Sequence, residues 1–245
     1  MRDWAGKRYW LVGASEGLGR ALAHRMSRCG CKLVLSARSP ERLEELSAEL
    51  PGLSEVVTMD VADMDSVRAA AAKVGEIDGL VFLSGVYWPF AAQEWDADHA
   101  VTMADVNFTG AVRVLGQVVP RMVERGSGHI VLTGSLAGFR GLPNSIGYGS
   151  SKAGLMHLAT SMRCDLQRSG VTVQLANPGF IRTRLTDKNE FRMPFLMEPE
   201  AAAQAMFDHM GTENFSRSFP SLFSMVFRGA NLLPEAVHLR LFGTG

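Results

Sequence analysis

Tyr148 and Lys152 stand four positions apart in the stretch YGSSK, residues 148–152. On a helix this spacing sets a phenol and an ammonium on one face, one turn apart. A neighbouring cation favours the ionised phenol, so the proton of Tyr148 becomes easier to move. A free phenol, with a pKa of about 10, is a sluggish base at neutral pH. The pair has the makings of a proton donor and acceptor for a reacting oxygen. Y-x-x-x-K also arises by chance at the start of ordinary helices, so the elements around it must decide.

A second chemical signal lies near the start of the chain. VGASEGLG (12–19) carries G-x-x-x-G-x-G, with Gly13, Gly17 and Gly19 as the glycines and Ser15, Glu16 and Leu18 among them. It follows an apolar run and opens a helical one. Glycines there allow a tight turn and let the backbone approach a pyrophosphate at a helix N-terminus. Ser15 can add a hydroxyl. A turn that only needs flexibility is the plainer alternative. The second apolar run ends at Ala37-Arg38, where the adenosine ribose of a dinucleotide would lie. An acid usually holds a 2′-hydroxyl at that place. Here no carboxylate repels a 2′-phosphate, and the Arg38 guanidinium can clamp one. NADP(H) is therefore expected over NAD(H). The alternative for Arg38 is a solvated residue at a helix start.

These residues need a scaffold. Short apolar runs alternate with helical patterns along the chain. Strands are expected at 8–12, 32–37, 55–59, 77–84, 128–135 and 171–179. Helices are expected at 17–28, 39–50, 63–74, 96–125 and 148–169, with a break near Asn107. Ser39 is expected to cap the second helix ahead of Pro40. Buried strands alternating with helices imply right-handed βαβ units on a parallel sheet. The expected fold class is α/β: a single domain over 1–245 with a doubly wound, three-layer parallel sheet of Rossmann-like type. Ligands bind beyond the C-terminal strand ends of such sheets. The loops GASEGLG, SAR, MDV, LSG, GSLAG and NPGFIRT all lie there.

Composition narrows the partners. Lys+Arg 25 balances Asp+Glu 25. No global field favours nucleic acid or an acidic membrane. Hydrophobic residues make up 47% of the chain, which points to a folded globule. The three cysteines, Cys29, Cys31 and Cys164, form no disulfide framework and fit a reducing compartment. Cys29 and Cys31 flank Gly30 at a helix-to-strand turn and read as small buried thiols. The six histidines show no ligand spacing, so no metal is expected. MRDWAGKRYW lacks the apolar run of an export signal, and no run reaches the roughly 20 apolar residues of a membrane span. A cytoplasmic location is expected.

With its motifs in order, the chain resembles the short-chain dehydrogenase/reductase family over about residues 7–184. The likeness rests on G-x-x-x-G-x-G, Asp60 after the third strand, Asn107, Ser135, Y-x-x-x-K and Pro178-Gly179. It implies an NAD(P)-dependent oxidoreductase that interconverts a carbonyl and an alcohol. It implies Tyr148 as the catalytic acid/base, with Lys152 lowering its pKa and bonding the nicotinamide ribose. Ser135 would orient the substrate carbonyl. Asn107 would hold a helix kink and a water that serves Lys152. Asp60 and Val61 would meet the adenine ring, and Pro178, Gly179, Ile181 and Thr183 the nicotinamide. One departure stands out. The family's N-N-A-G after strand four is here Phe82-Leu83-Ser84-Gly85. Gly85, beside Ser84, still permits close cofactor approach; the lost amides are expected to weaken the sheet more than the chemistry. Family habit also implies a homodimer or homotetramer built on the long helices. A cofactor-binding sensor or scaffold on the same fold is the alternative, although such relatives typically lose the tyrosine or lysine. An epimerase or dehydratase of the longer relatives is disfavoured by length and by the glycine pattern.

The substrate is expected to be a hydrophobic or aromatic ketone, aldehyde or secondary alcohol. Val86, Tyr87, Trp88, Leu136, Phe139, Phe180 and FRMPFLM (191–197) sit on loops expected around the carbonyl, with a lid over about 183–210. The competing reading puts these side chains in the core or an oligomer interface. The apolar tail, about 219–245, is interrupted by Arg228, Pro234 and Glu235. It would pack on the domain or a sister subunit, form an apolar lip over the pocket, or rest on a membrane surface.

Overall fold

The computed structural model describes residues 2–189 and 192–243. Its centre is a parallel sheet of seven strands, in the order β3-β2-β1-β4-β5-β6-β7. They are β1 (Arg8–Val12), β2 (Lys32–Ser36), β3 (Ser54–Val56), β4 (Gly79–Phe82), β5 (Gly128–Thr133), β6 (Val171–Pro178) and β7 (Ser216–Phe219). The helices are α1 (Gly17–Arg28), α2 (Pro40–Glu49), α3 (Met64–Val74), α4 (Ala97–Ala104), α5 (Gly110–Arg125), α6 (Ile146–Asp165), α7 (Pro199–Met210), α8 (Ser221–Ala230) and α9 (Glu235–Phe242). Side chains alternate across each strand. Tyr9 and Leu11 join a core with α1, α2 and α7, whereas Trp10 and Val12 join one with α3, α5 and α6. Both faces are covered, so the central strands read as unbroken apolar runs.

The strand order reverses between β1 and β4, and the crevice for a ligand opens above that pair. The ladder runs slightly past the strand ends there. Leu83 N donates to the Val12 carbonyl (2.7 Å) and Gly13 N to the Ser36 carbonyl (2.7 Å).

Several expectations shift. β3 is shorter than 55–59. Val57 and Met59 still donate to Leu35 and Ala37 (3.0 Å each), but β3 is an edge with no outer neighbour, and the ladder ends early. α6 starts at Ile146, which makes Tyr148 its third residue. The break near Asn107 is a π-turn, Asp105–Thr109, between α4 and α5. Ser39 takes the N-cap place of α2, yet its hydroxyl donates to the Glu41 carboxylate (2.9 Å) and caps no amide. The lid assigned to 183–210 is too long. Its second half is α7, whose Ala202, Ala203, Met206 and Met210 recur at helical spacing and are buried in the α1 core. Phe191, in FRMPFLM, lies outside the described residues, as do 244–245 of the tail. β7 was not expected, because SRSF is mostly polar; it pairs on one side only. No described helix is long and apolar enough to cross a membrane.

One buried polar group couples this fold to pH. Tyr9 donates its hydroxyl proton to His129 Nδ1 (2.8 Å), and His129 Nε2 donates to Gln174 Oε1 (2.7 Å). The Gln174 amide nitrogen faces the carbonyls of His209, Thr212 and Asn214, which fixes Oε1 as the acceptor and with it the neutral tautomer. Burial pushes His129 down to about 3. An unfolded imidazole titrates at about 6.5. Between those values the unfolded chain binds a proton that the folded chain refuses. The His129 contribution to stability is therefore undiminished above about pH 6.5 and falls below it, by about 1.4 kcal/mol per unit. Urea melts at about pH 7.5 and about pH 5 should show this loss, and His129→Gln should flatten the slope. A slope equal in wild type and variant would remove His129 as its source.

Candidate active site

The turn between β1 and α1 is shaped by close approach. Gly13 has φ +95° and Gly17 has φ +53°, both left-handed. A Cβ on Gly13 would stand 2.6 Å from the Ser84 nitrogen, and one on Gly19 would stand 2.1 Å from the Gly13 carbonyl oxygen. The turn thus lies flat against the end of β4. Glu16 occupies the N-cap of α1 without a side-chain bond to the helix, and the first turn holds no acid. The first amides of α1 face the cleft without an anionic cap. A flat glycine floor beneath free helix N–H groups fits a pyrophosphate.

A cavity of about 910 Å³ lies above these strand ends. It is lined by Gly13, Ser15, Glu16, Gly17, Leu18 and Gly19, by Arg38, Asp60 and Val61, and by Ser84 and Gly85. Ser135, Tyr148, Lys152, Pro178, Gly179, Ile181 and Thr183 complete that wall. Asn107 is buried behind it. Arg42, on the first turn of α2, joins Arg38 at the cavity and was not singled out from the sequence. Its place one turn into the helix that follows Arg38 was the available signal. Arg42 pairs with Glu16 (3.2 Å), and Glu16 also pairs with Arg184. Asp60 is fixed by its own turn: Oδ1 accepts from the Ala62 amide (2.9 Å), and its N–H donates to the Ser66 hydroxyl (3.0 Å).

Lys152 is only 3% exposed. Its ammonium donates to the Thr133 carbonyl (2.9 Å) and lies 5.8 Å from the centre of the Tyr148 ring. Burial pushes Lys152 down to about 8. Tyr148 keeps part of its surface open to the cavity, within otherwise dense surroundings. Burial raises its pKa above the usual phenol value, and a hydrogen bond from Ser135 offsets part of that rise. The direction is thus set by burial, against the lowering expected from Lys152. Ser135 Oγ also accepts from the Ala137 amide (3.2 Å), capping a short 3-10 turn, Leu136–Gly138. That contact fixes the oxygen and leaves its proton to donate.

Asn107 acts as a brace. Its Oδ1 accepts from the Val86 amide (2.7 Å), and its Nδ2 donates to the Val86 carbonyl and the Ser151 hydroxyl (3.0 Å each). The π-turn thereby fastens the loop after β4 to α6. That loop lacks the family's asparagines, and Asn107 holds its backbone from outside. A Cβ on Gly85 would lie 3.5 Å from Asn107 Oδ1 and 3.6 Å from Lys152 Nζ, so this glycine sits directly over both.

At the other end of the cavity, Val86, Tyr87, Leu136 and Phe180 line the wall, but Trp88 and Phe139 do not. Trp88 instead stacks on His99, with ring centres 4.4 Å apart. Phe139 ends the 3-10 turn after Ser135. None of the described residues of FRMPFLM lines the cavity. The apolar wall they were expected to supply comes from α8, through Phe223 and Phe227. Their spacing of one turn within the apolar tail was the signal for it. Arg140 donates to the carbonyls of Ala230 (2.5 Å) and Leu233 (2.8 Å), and His238 Nε2 meets the Gly141 carbonyl (2.9 Å). The tail therefore packs on the domain and forms a lip over the cavity.

The family model for short chain dehydrogenase matches residues 7–193. An uncharacterized oxidoreductase of Myxococcus xanthus is 38% identical over 232 residues, 92% of this chain and 92% of its own length. A sulfoacetaldehyde reductase of Chromohalobacter salexigens is 40% identical over 185 residues, 72% of this chain and 73% of that one. Among solved structures, a short-chain dehydrogenase from Sphingobium yanoikuyae in complex with NADPH has a TM-score of 0.81 at 26% identity, over 92% of this chain and 93% of that one. The glycine floor at the sheet's reversal and the helix face bearing Tyr148 and Lys152 accord with those matches: the chain belongs to the short-chain dehydrogenase/reductase family of oxidoreductases.

Proposed function

We propose that the protein reduces an apolar aldehyde or ketone with NADPH and runs the reverse oxidation with NADP. The observation that carries this is the meeting of Ser135, Tyr148 and Lys152 in a cavity that also holds the glycine floor and Arg38. When bound, the nicotinamide cofactor supplies or accepts the hydride. Gly13 to Gly19 would hold its pyrophosphate, and Arg38 with Arg42 its 2′-phosphate. Asp60 and Val61 would flank the adenine. Pro178, Gly179, Ile181, Thr183 and Lys152 would hold the nicotinamide end. The NADPH bound by a structural neighbour supports the same cofactor here.

Ser135 holds the substrate oxygen by a hydrogen bond. Tyr148 gives its proton to that oxygen as negative charge develops there. The raised pKa of Tyr148 suits this direction, because the phenol stays protonated at neutral pH. Lys152 stabilises the phenolate left behind and is itself charged at neutral pH. Leu136, Phe180, Phe223 and Phe227 keep water from the reacting carbon and favour an apolar substituent. The outer faces of α8 and α9 bear exposed Leu222, Met225, Val226 and Leu239, and the turn between the helices bears exposed Leu232. A patch of this kind is costly on a free monomer, and it supports a homo-oligomer.

A panel of hexanal, benzaldehyde, acetophenone and, as polar control, sulfoacetaldehyde tests the reading. Tyr148→Phe should lower kcat by about 100-fold or more, with the NADPH Kd unchanged. The reduction rate should hold through neutral pH and fall above about pH 8, as Lys152 loses its charge. A variant with wild-type kcat would dismiss Tyr148 as the donor. NADPH should exceed NADH in kcat/KM by about 10-fold or more, and Ala37→Asp with Arg38→Leu should erode or invert that ratio. Equal wild-type values would refute the role of Arg38. Leu222→Ser with Met225→Ser and Val226→Ser should lower the assembly state seen by light scattering; an unchanged mass would move the interface elsewhere.

A further inference from the structure

Tyr87 follows Val86, whose amide and carbonyl are both held by Asn107, so its backbone enters the cavity from a fixed point. Its ring meets that of Tyr148 edge-on, with centres 5.1 Å apart and planes at 78°. Its hydroxyl donates to Asn189 Oδ1 (2.9 Å), and its carbonyl accepts from Lys188 Nζ (2.8 Å). Lys188 Nζ also lies 4.0 Å from the centre of the neighbouring Trp88 ring. Asn189 Nδ2 in turn donates to Met193 Sδ (3.2 Å). Tyr87, Lys188 and Asn189 all line the cavity. The loops after β4 and β6 are thereby tied across the substrate end by two hydrogen bonds and a cation–π contact. The tie passes through the ring that buttresses Tyr148.

We propose that Tyr87 is a positioning and specificity-determining residue: its ring orients Tyr148, and its hydroxyl and carbonyl fasten the loop after β6 over the substrate. This rests on the role proposed above for Tyr148. Burial, and then the neighbouring Tyr148, raise the Tyr87 pKa, so its hydroxyl remains a donor through the neutral range. A tyrosine that only filled space would lose nothing when its hydroxyl is removed. One that ties the loops loses the fastening and keeps the buttress. The two roles are therefore separable by Phe and Ala at the same position.

The test uses the full chain with Tyr87→Phe, Tyr87→Ala, Asn189→Leu and the double variant Tyr87→Phe/Asn189→Leu. Each is assayed for NADPH-dependent reduction of benzaldehyde and of the bulkier naphthaldehyde. Each is also digested briefly with trypsin, which can cut after Arg184 and Lys188. Tyr87→Phe and Asn189→Leu should each raise KM about fivefold with little change in kcat or in the NADPH Kd, and should speed cleavage after Lys188 by about as much. The double variant should be no worse than Asn189→Leu alone, because the Tyr87–Asn189 bond is lost in all three and the Asn189–Met193 bond in both variants that carry Asn189→Leu. Tyr87→Ala should also lower kcat about 10-fold, shift the relative kcat/KM toward naphthaldehyde, and move the alkaline limb of the pH profile. Wild-type KM and cleavage in Tyr87→Phe, or additive effects in the double variant, would overturn the tie. Wild-type kcat and pH profile in Tyr87→Ala would overturn the positioning role. A wild-type protein inactive on the whole panel removes the proposed reaction, whereas the cleavage rates still decide the tie.

Discussion

The fold is organised around a buried ammonium that has no acid to pair with. Among the described residues Lys152 has no carboxylate partner; its bond is to the Thr133 carbonyl. Depression of its pKa from 10.5 to about 8 corresponds to about 3 kcal/mol against the charged form at neutral pH. A purely structural position would be better filled by an apolar side chain, since an uncompensated buried charge weakens a domain. What offsets part of the penalty is local geometry. β5 ends at Thr133, so the last carbonyl of that strand is free of the ladder at the place where Nζ arrives. α6 begins two residues before Tyr148, which brings the Lys152 stem back under the Tyr148 ring.

The position of Lys152 then dictates its neighbours. Gly85 lies across from Nζ at a distance that leaves the ammonium facing the cavity. The loop carrying Gly85 would be free to move if nothing held Val86. Asn107 holds it, and it can do so because the π-turn rotates that side chain out of the α4–α5 helix face and toward the loop. The same side chain reaches Ser151, next to Lys152. A distortion in one helix thus fixes both the loop and the helix that flank the ammonium. A regular helix through 105–109 would place Asn107 elsewhere on the surface of the turn, and the brace would be lost.

Much of this was legible in the sequence, for a definable reason. The floor beneath the proposed pyrophosphate is made of backbone, and backbone demands announce themselves as glycine: Gly13, Gly17 and Gly19 are where a Cβ would collide or φ is positive. Buried strands announce themselves as apolar runs, and the proposed catalytic pair as a four-residue spacing. The edges were less legible. β7 carries polar residues because it has one neighbour, and the end of β3 depends on what lies outside it. The rise in the Tyr148 pKa was not legible, because spacing reveals a nearby cation but not the burial that sets the direction. Arg42 and Phe223 were missed because their local signals place each on a helix face, whereas their roles depend on where the whole helix packs.

The cavity therefore has two ends built on different principles. At one end the wall is strand termini, glycines and a helix N-terminus, all fixed by the sheet. At the other it is side chains from segments that reach the site from outside the sheet: Tyr87 after β4, Lys188 and Asn189 after β6, Phe223 and Phe227 on α8. These are joined by individual hydrogen bonds and ring contacts, as in Tyr87 to Asn189 and Phe223 to Phe227. Each such contact is worth little beside the burial that fixes the strands. Substitutions at this second end can reshape what the cavity admits without moving Lys152, Thr133 or the glycine floor. The exception is Tyr87, whose ring touches Tyr148 directly. At that residue a change in what is admitted is also a change in how the proposed proton donor is held.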